Sequence, residues 1–175
     1  MSEERRPHVL IVDDEEGVRA ALRRTLRKEN YRLSFAASAE EALLLLRDDK
    51  PDVVLSDHLM PGMTGLEFLE RCRLIYPDVG RLVLTGQAEM EMVIKAINNG
   101  EVFRFLTKPW DDQEVKLTLH LALEHVFQAR KHASLMKKLE HQARAIEALE
   151  RDHPGLTDLA RDFSGAIVID EDQSP

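Results

Sequence analysis

The chain has 175 residues, with 32 acidic against 24 basic side chains and a formal charge of −8, which suits one ordinary domain plus an appendage. Its single Cys, Cys72, excludes an internal disulfide and fits a reducing compartment, while the acidic balance argues against unaided binding to nucleic acid or an anionic membrane. The start, Met1 to Pro7, is charged, and no apolar run approaches the roughly 20 residues that span a bilayer, so a cytoplasmic protein without a membrane partner is expected.

His8 to Val12 is an apolar run too short for a helix, and it ends in Asp13-Asp14. Val18, Ala21, Leu22, Thr25 and Leu26 follow at helical spacing. Tyr31 to Ala37 reads as a second strand. Ser38 with Glu41 three residues on predicts a capping box at the start of the next helix. Asp52 to Asp57 is a third strand after Pro51, and Met60-Pro61-Gly62-Met63-Thr64-Gly65 is loop chemistry. Leu66 to Tyr76 is helical and stops at Pro77; Arg81 to Thr85 is a fourth strand. Glu89 to Asn98 is a helix closed by Asn99-Gly100, and Val102 to Thr107 is a fifth strand before Pro109.

Five strands joined by helical crossovers predict a doubly wound α/β fold, a parallel sheet covered on both faces. Such sheets place their site outside the carboxyl ends of the strands. The residues at those ends are Asp13 and Asp14, Asp57, Thr85 and Lys108.

From Asp111 the pattern stays helical to about Glu150, roughly 60 Å at ~1.5 Å per residue. Leu119, Ala122, Leu123, Val126 and Phe127 form a broad face suited to the sheet. Leu135, Leu139, Gln142, Ile146 and Leu149 then alternate in steps of four and three, a coiled-coil seam with one polar member; the competing reading is a helix folding back on its own domain. Asp152-His153-Pro154-Gly155 breaks the helix, and Leu156 to Ala160 with Ala166 to Asp170 read as a short hairpin in an acidic tail. The expected organisation is a domain over 7–127, a helical extension over 128–150 and a tail over 151–175.

Two adjacent carboxylates plus a third on a neighbouring strand end make a hard-oxygen site, the chemistry of Mg²⁺. Near such an ion a carboxylate oxygen can attack phosphorus, Lys108 suits a phosphoryl oxygen as a point charge and the Thr85 hydroxyl can donate to another. Each residue alone has a blander reading: Asp13 and Asp14 as helix-cap acids, Asp57 as a turn residue, Lys108 as a surface charge. Their joint placement on one rim favours the site. His58 follows Asp57 and falls near its mouth.

Val9-Leu10-Ile11-Val12-Asp13-Asp14, Pro51 to Asp57, Met60 to Gly65, Leu84-Thr85-Gly86 and Phe105-Leu106-Thr107-Lys108-Pro109 resemble, in that order, the receiver domain of two-component response regulators. The resemblance covers about residues 7 to 127. It implies a flavodoxin-like sheet of order 2-1-3-4-5, Asp57 as phospho-acceptor, and Asp14, Asp13 and the Leu59 carbonyl as further metal ligands. It also implies Thr85 as switch hydroxyl, Lys108 as the conserved-role lysine, Phe105 in the aromatic switch position where the family often has Tyr, and a cis peptide at Lys108-Pro109. Ala96-Ile97-Asn98-Asn99-Gly100 and Lys108-Pro109-Trp110 are similar to receivers found ahead of cyclic-di-nucleotide phosphodiesterase, hydrogenase-regulator or kinase modules; no output signature is read after residue 127.

The function this implies is a phosphorylation switch, not an enzyme with external turnover. Its expected partners are a sensor histidine kinase or phosphotransfer protein, a second copy through the C-terminal helix, and a downstream protein that the sequence does not name. The alternative is a constitutive dimeric adaptor whose receiver docks partners regardless of phosphorylation. A metal-dependent phosphatase with an aspartate nucleophile fits worse, because it expects an acid two residues after its nucleophile on the first strand, and Glu15 already lies at the helix start.

Overall fold

Strong β formers alternate their side chains between two faces, and here both faces are apolar, which requires a sheet buried on each side. The computed structural model describes residues 5–100 and 102–152. Strands β1 (His8–Val12), β2 (Arg32–Ala36), β3 (Val53–Asp57), β4 (Gly80–Thr85) and β5 (Arg104–Thr107) form one sheet of order β2-β1-β3-β4-β5. All four strand pairings are parallel. The intervening helices are α1 (Glu16–Leu26), α2 (Ala39–Asp48), α3 (Gly65–Ile75), α4 (Met90–Asn98) and α5 (Asp112–Asp152). This is the doubly wound, flavodoxin-like architecture expected from the strand–helix alternation and from the family resemblance.

The alternation divides the core in two. Leu10, Val12, Val54 and Val83 pack with Phe68, Leu69, Cys72 and Val93 on the face of α2, α3 and α4. Val9, Ile11, Val53, Leu55, Leu82, Leu84 and Leu106 pack on the other face, against Leu22 and Leu26 of α1 and Val115, Leu119, Ala122, Leu123 and Val126 of α5. Phe127, assigned from sequence to that α5 face, is instead 41% exposed. The buried residues 115, 119, 122 and 126 set the phase of the helix, and the residue after Val126 is rotated about 100° off it.

Helix starts show finer differences. Ser38 caps α2 by accepting from the Glu41 N–H at 3.1 Å. The Glu41 carboxylate reaches one residue further back than a capping box requires, to the Ala37 N–H at 2.7 Å. The complete box lies at α3, between Thr64 and Glu67. A 3-10 turn at Gln87–Glu89 precedes α4, and β5 begins at Arg104, two residues later than its apolar run.

The described residues up to Arg130 form one compact unit and those from Lys131 a second. At the end of the first unit Arg130 ion-pairs with Asp52, which is 4% exposed, and donates to the Asp78 carbonyl at 3.1 Å. In the second unit every described side chain from Lys131 to Leu149 is exposed, including Leu135, Leu139, Ile146 and Leu149 at 50 to 59%. The hairpin read between Leu156 and Asp170 lies outside the described residues. Among the described residues no helix is long and apolar enough to cross a membrane.

Candidate functional site

Parallel strands end side by side, so β1, β3, β4 and β5 deliver Asp13, Asp57, Thr85 and Lys108 to one rim. Asp13 and Asp57 are 1% and 5% exposed, whereas the adjacent Asp14 is exposed. Carboxylate oxygens of Asp13, Asp14 and Asp57 lie within 4.8 Å of one another. Lys108 bridges the pair at the floor, with Nζ 2.8 Å from Asp57 Oδ1 and 3.2 Å from Asp13 Oδ2. The Lys108-Pro109 peptide is cis.

Burial dominates the titration of these acids. Loss of water pushes the Asp57 carboxyl above its ordinary range, against the opposing pull of Lys108, and burial raises Asp13 likewise, against its Glu15 N–H bond and Lys108. Burial would lower the Lys108 ammonium, yet its bond to Asp57 and the two carboxylates outweigh that and hold it above its ordinary value. The directions are compatible: each acid loses more in hydration than one shared lysine returns.

Two glycines bring the loop after β3 close. Gly62 has φ +80°, the left-handed region. Gly65 passes against the Asp57 peptide, where a Cβ would lie 1.8 Å from the Asp57 carbonyl oxygen. The Gly65 N–H donates to the His58 carbonyl at 2.9 Å, so α3 starts directly on the end of β3.

The structure places the remaining sequence-derived residues as follows. Thr85 is buried at the end of β4, and its hydroxyl donates to the Gly86 carbonyl at 3.2 Å. The Leu59 side chain is 57% exposed, leaving its backbone as the part relevant to the site. Phe105 is half-buried against the α2–α3–α4 core cluster. Three supporting contacts were not read from sequence. The Glu15 N–H donates to Asp13 Oδ1 at 2.8 Å, the Glu15 carboxylate lies 3.8 Å from Lys108, and Arg19 donates to the Asp13 carbonyl. Arg19 is three residues after Glu16 and pairs with it, a signal legible in principle.

Three close carboxylates repel one another unless a cation is present, and hard oxygens of this number suit a divalent ion such as Mg²⁺. Lys108 occupies one Asp57 oxygen, leaving the other clear of that ion pair.

The profile of the response regulator receiver domain matches residues 9–120. The chain is 39% identical over 116 residues to the hydrogenase transcriptional regulatory protein HoxA of Cupriavidus necator, covering 66% of this chain and 24% of that protein. It is 34% identical to sporulation initiation phosphotransferase F of Bacillus subtilis, covering 62% of this chain and 86% of that one. A solved signal receiver domain of an HD domain-containing protein from Pseudomonas fluorescens superposes with a TM-score of 0.70 at 41% identity, over 75% of this chain and 96% of that one. The chain spans about a quarter of the length of the hydrogenase regulators it matches.

Proposed function

The chain belongs to the response regulator receiver domain family, whose members accept a phosphoryl group on an aspartate, and from that premise we propose that Asp57 is the acceptor here. The observation that supports this most is the Asp57–Lys108–Asp13 arrangement, with Asp14 in reach. A sensor histidine kinase or a phosphotransfer protein is the donor.

Asp13, Asp14, the free Asp57 oxygen and the Leu59 carbonyl would hold Mg²⁺. When bound, the ion supplies charge neutralisation for the phosphoryl oxygens. The Asp57 carboxylate oxygen attacks phosphorus in line, the P–N bond to the donor imidazole breaks, and that nitrogen keeps the electron pair and takes a proton. The product is an acyl phosphate on Asp57. Lys108 stays within reach of a phosphoryl oxygen, and the Thr85 hydroxyl exchanges its Gly86 acceptor for another. Phe105 turns into the space Thr85 leaves. This biases two arrangements of the α4–β5–α5 surface by contacts that only one of them makes. Site turnover is confined to the protein's own acyl phosphate.

The module so defined is residues 7–127, with 128–150 as a helical extension and 151–175 as an acidic tail. The exposed seam Leu135, Leu139, Ile146, Leu149 supports pairing with a second copy. The same exposure favours a second reading, a constitutive dimeric adaptor, since those residues are uncovered without any phosphoryl group. Cytoplasmic location and an unnamed downstream protein complete the proposal.

Incubation with a small phosphodonor and Mg²⁺, reductive trapping of the acyl phosphate and peptide mapping test the assignment. Modification at residue 57 is expected; modification at another acid overturns it. Light scattering with Mg²⁺ and then beryllofluoride separates the assembly readings: a monomer that becomes a dimer supports the switch, and a dimer under both conditions supports the adaptor.

A further inference from the structure

One cavity of about 310 Å³ beside the acceptor is lined by Glu15, Asp57, Gln87, Glu89 and Lys108 among others. Lys108 is the one lysine or arginine among the described residues that line it, and it is already engaged by Asp57 and Asp13. A divalent ion and Lys108 together would balance Asp13, Asp14 and Asp57, charge for charge. Glu15 and Glu89 lie outside that balance.

These two carboxylates are not equivalent. Glu15 is 67% exposed and 3.8 Å from Lys108, so water and the ammonium both screen it. Glu89 is half-buried and makes no hydrogen bond or ion pair among the described residues. An acid at a helix start ordinarily serves the cap. Glu89 directly precedes α4, yet its side chain accepts no bond from the N–H groups there. The carboxylate instead folds back over the turn after β4: a Cβ on Gly86 would lie 2.9 Å from Glu89 Oε2. Gly86 directly follows Thr85, so the charge stands over the strand end that carries the Thr85 hydroxyl. The Gln87 amide on the same wall is a neutral donor and cancels no charge.

We propose that Glu89 selects the class of phosphodonor: its uncompensated carboxylate on the cavity wall disfavours dianionic donors and favours N-phosphoryl donors whose nitrogen carries a proton. The proposal rests on Asp57 being the acceptor and deepens that reading. The transfer itself is unchanged. The bond from Asp57 oxygen to phosphorus forms, and the P–N bond breaks with the electron pair and the proton on nitrogen; for an acyl phosphate the P–O bond breaks and the carboxylate leaves with the pair. Like charges on opposite walls of a cavity this small alter a rate several-fold at the intermediate dielectric of a half-buried site. Glu89 is therefore a specificity-determining residue that acts on the charge of the donor.

The test compares phosphoramidate, whose protonated nitrogen offsets part of its charge, with acetyl phosphate, a dianion. Second-order labelling rates are measured on the full chain at Mg²⁺ saturating for each variant, and the ratio of the two rates is the readout. Donor size and intrinsic reactivity cancel when that ratio is compared with wild type. Glu89→Gln is expected to lower the preference for phosphoramidate about three- to fivefold and Glu89→Lys about tenfold or more, whereas the screened Glu15→Gln changes it less than about twofold. Raising salt lowers the wild-type ratio more than that of Glu89→Gln. Beryllofluoride, an anion, binds Glu89→Gln about three- to fivefold more tightly than wild type. A Glu89→Gln ratio equal to that of wild type overturns the proposal, as does an equal change in both rates, which marks a structural role; either result leaves Asp57 as acceptor. The salt arm uses wild type alone and stands whatever the variants do. Labelling of wild type at an acid other than Asp57 overturns the acceptor reading and the proposal together.

Discussion

Gly65→Ala is the sharpest probe of how the acceptor strand is held. The added Cβ would lie 1.8 Å from the Asp57 carbonyl oxygen, 2.8 Å from its carbon and 3.0 Å from His58 Cα, all backbone atoms. No rotamer change relieves a backbone clash, so the start of α3 must retreat by at least about 1.6 Å to regain ordinary contact at 3.4 Å or more. Retreat breaks the Gly65-to-His58 bond and unseats the Thr64–Glu67 box that starts α3. Loss of a cap costs about 1 kcal/mol, loss of a buried hydrogen bond about 1, and the overpacking about 1–3 more. We expect about 3–5 kcal/mol of destabilisation, which at a urea slope near 2 kcal/mol/M lowers the midpoint by about 2 M. The surviving folded fraction loses labelling at Asp57, because the same peptide moves. Gly17→Ala is the internal control: nothing lies within 4 Å of its Cβ position, and it sits in α1, so a gain of about 0.5–1 kcal/mol is expected. Urea titration of both variants decides the matter. A Gly65→Ala protein within 1 kcal/mol of wild type, or one that labels normally, refutes the reasoning.

Other perturbations address the amino-terminal ends of the inner strands and the exposed end of α5. Arg130→Met leaves the buried Asp52 carboxylate, among the described residues, with only its His8 N–H bond at 2.8 Å; because Arg130 is itself 31% exposed, the cost is discounted to about 2 kcal/mol. Urea unfolding measures it, with labelling of Asp57 unchanged, and a loss under 0.5 kcal/mol contradicts the ion-pair argument. His8 accepts from Arg32 at Nδ1 and meets Ser34 Oγ at Nε2, each at 2.8 Å, and burial, aided by Arg32, lowers its pKa below the ordinary value despite Asp49 and Asp52. A lowered folded pKa means the unfolded chain binds the proton more readily, so this contribution is complete above about pH 6.5 and is lost as pH falls below it. Wild type is therefore expected to lose more stability than His8→Asn between pH 7.5 and 5.5; an equal or smaller loss rejects the neutral assignment. Ile146→Asp on the exposed seam is expected to leave folding of residues 7–127 intact and to abolish any dimer seen by light scattering; a dimer that persists places the contact elsewhere.

Much of the fold was legible because the sheet is apolar on both faces. Runs such as His8–Val12 and Val53–Asp57 are too short for helices and too apolar for loops, and their carboxyl ends select Asp13, Asp57, Thr85 and Lys108 by a rule of topology alone. What escaped depends on partners distant in the chain or on phase. Arg130 finds Asp52 across 78 positions, and no local periodicity encodes that pairing. Phe127 belongs to an apolar run whose phase is settled only by which neighbours reach the sheet. The Thr64-x-x-Glu67 box was present in the sequence but masked by the Pro61-Gly62 loop before it, while Ser38 and Glu41 carried the same pattern and formed only half of it. The Gln87–Glu89 turn has no periodic signature, being a single turn long.

The central claim is that Asp57, held by Lys108 beside Asp13 and Asp14, takes a phosphoryl group in a Mg²⁺-dependent reaction. Intact-mass measurement of wild type and Asp57→Asn, side by side with a small phosphodonor, tests it most directly. The account predicts one added phosphoryl group on wild type, absent when Mg²⁺ is chelated before the donor is added, and none on Asp57→Asn. Undiminished labelling of Asp57→Asn would contradict it.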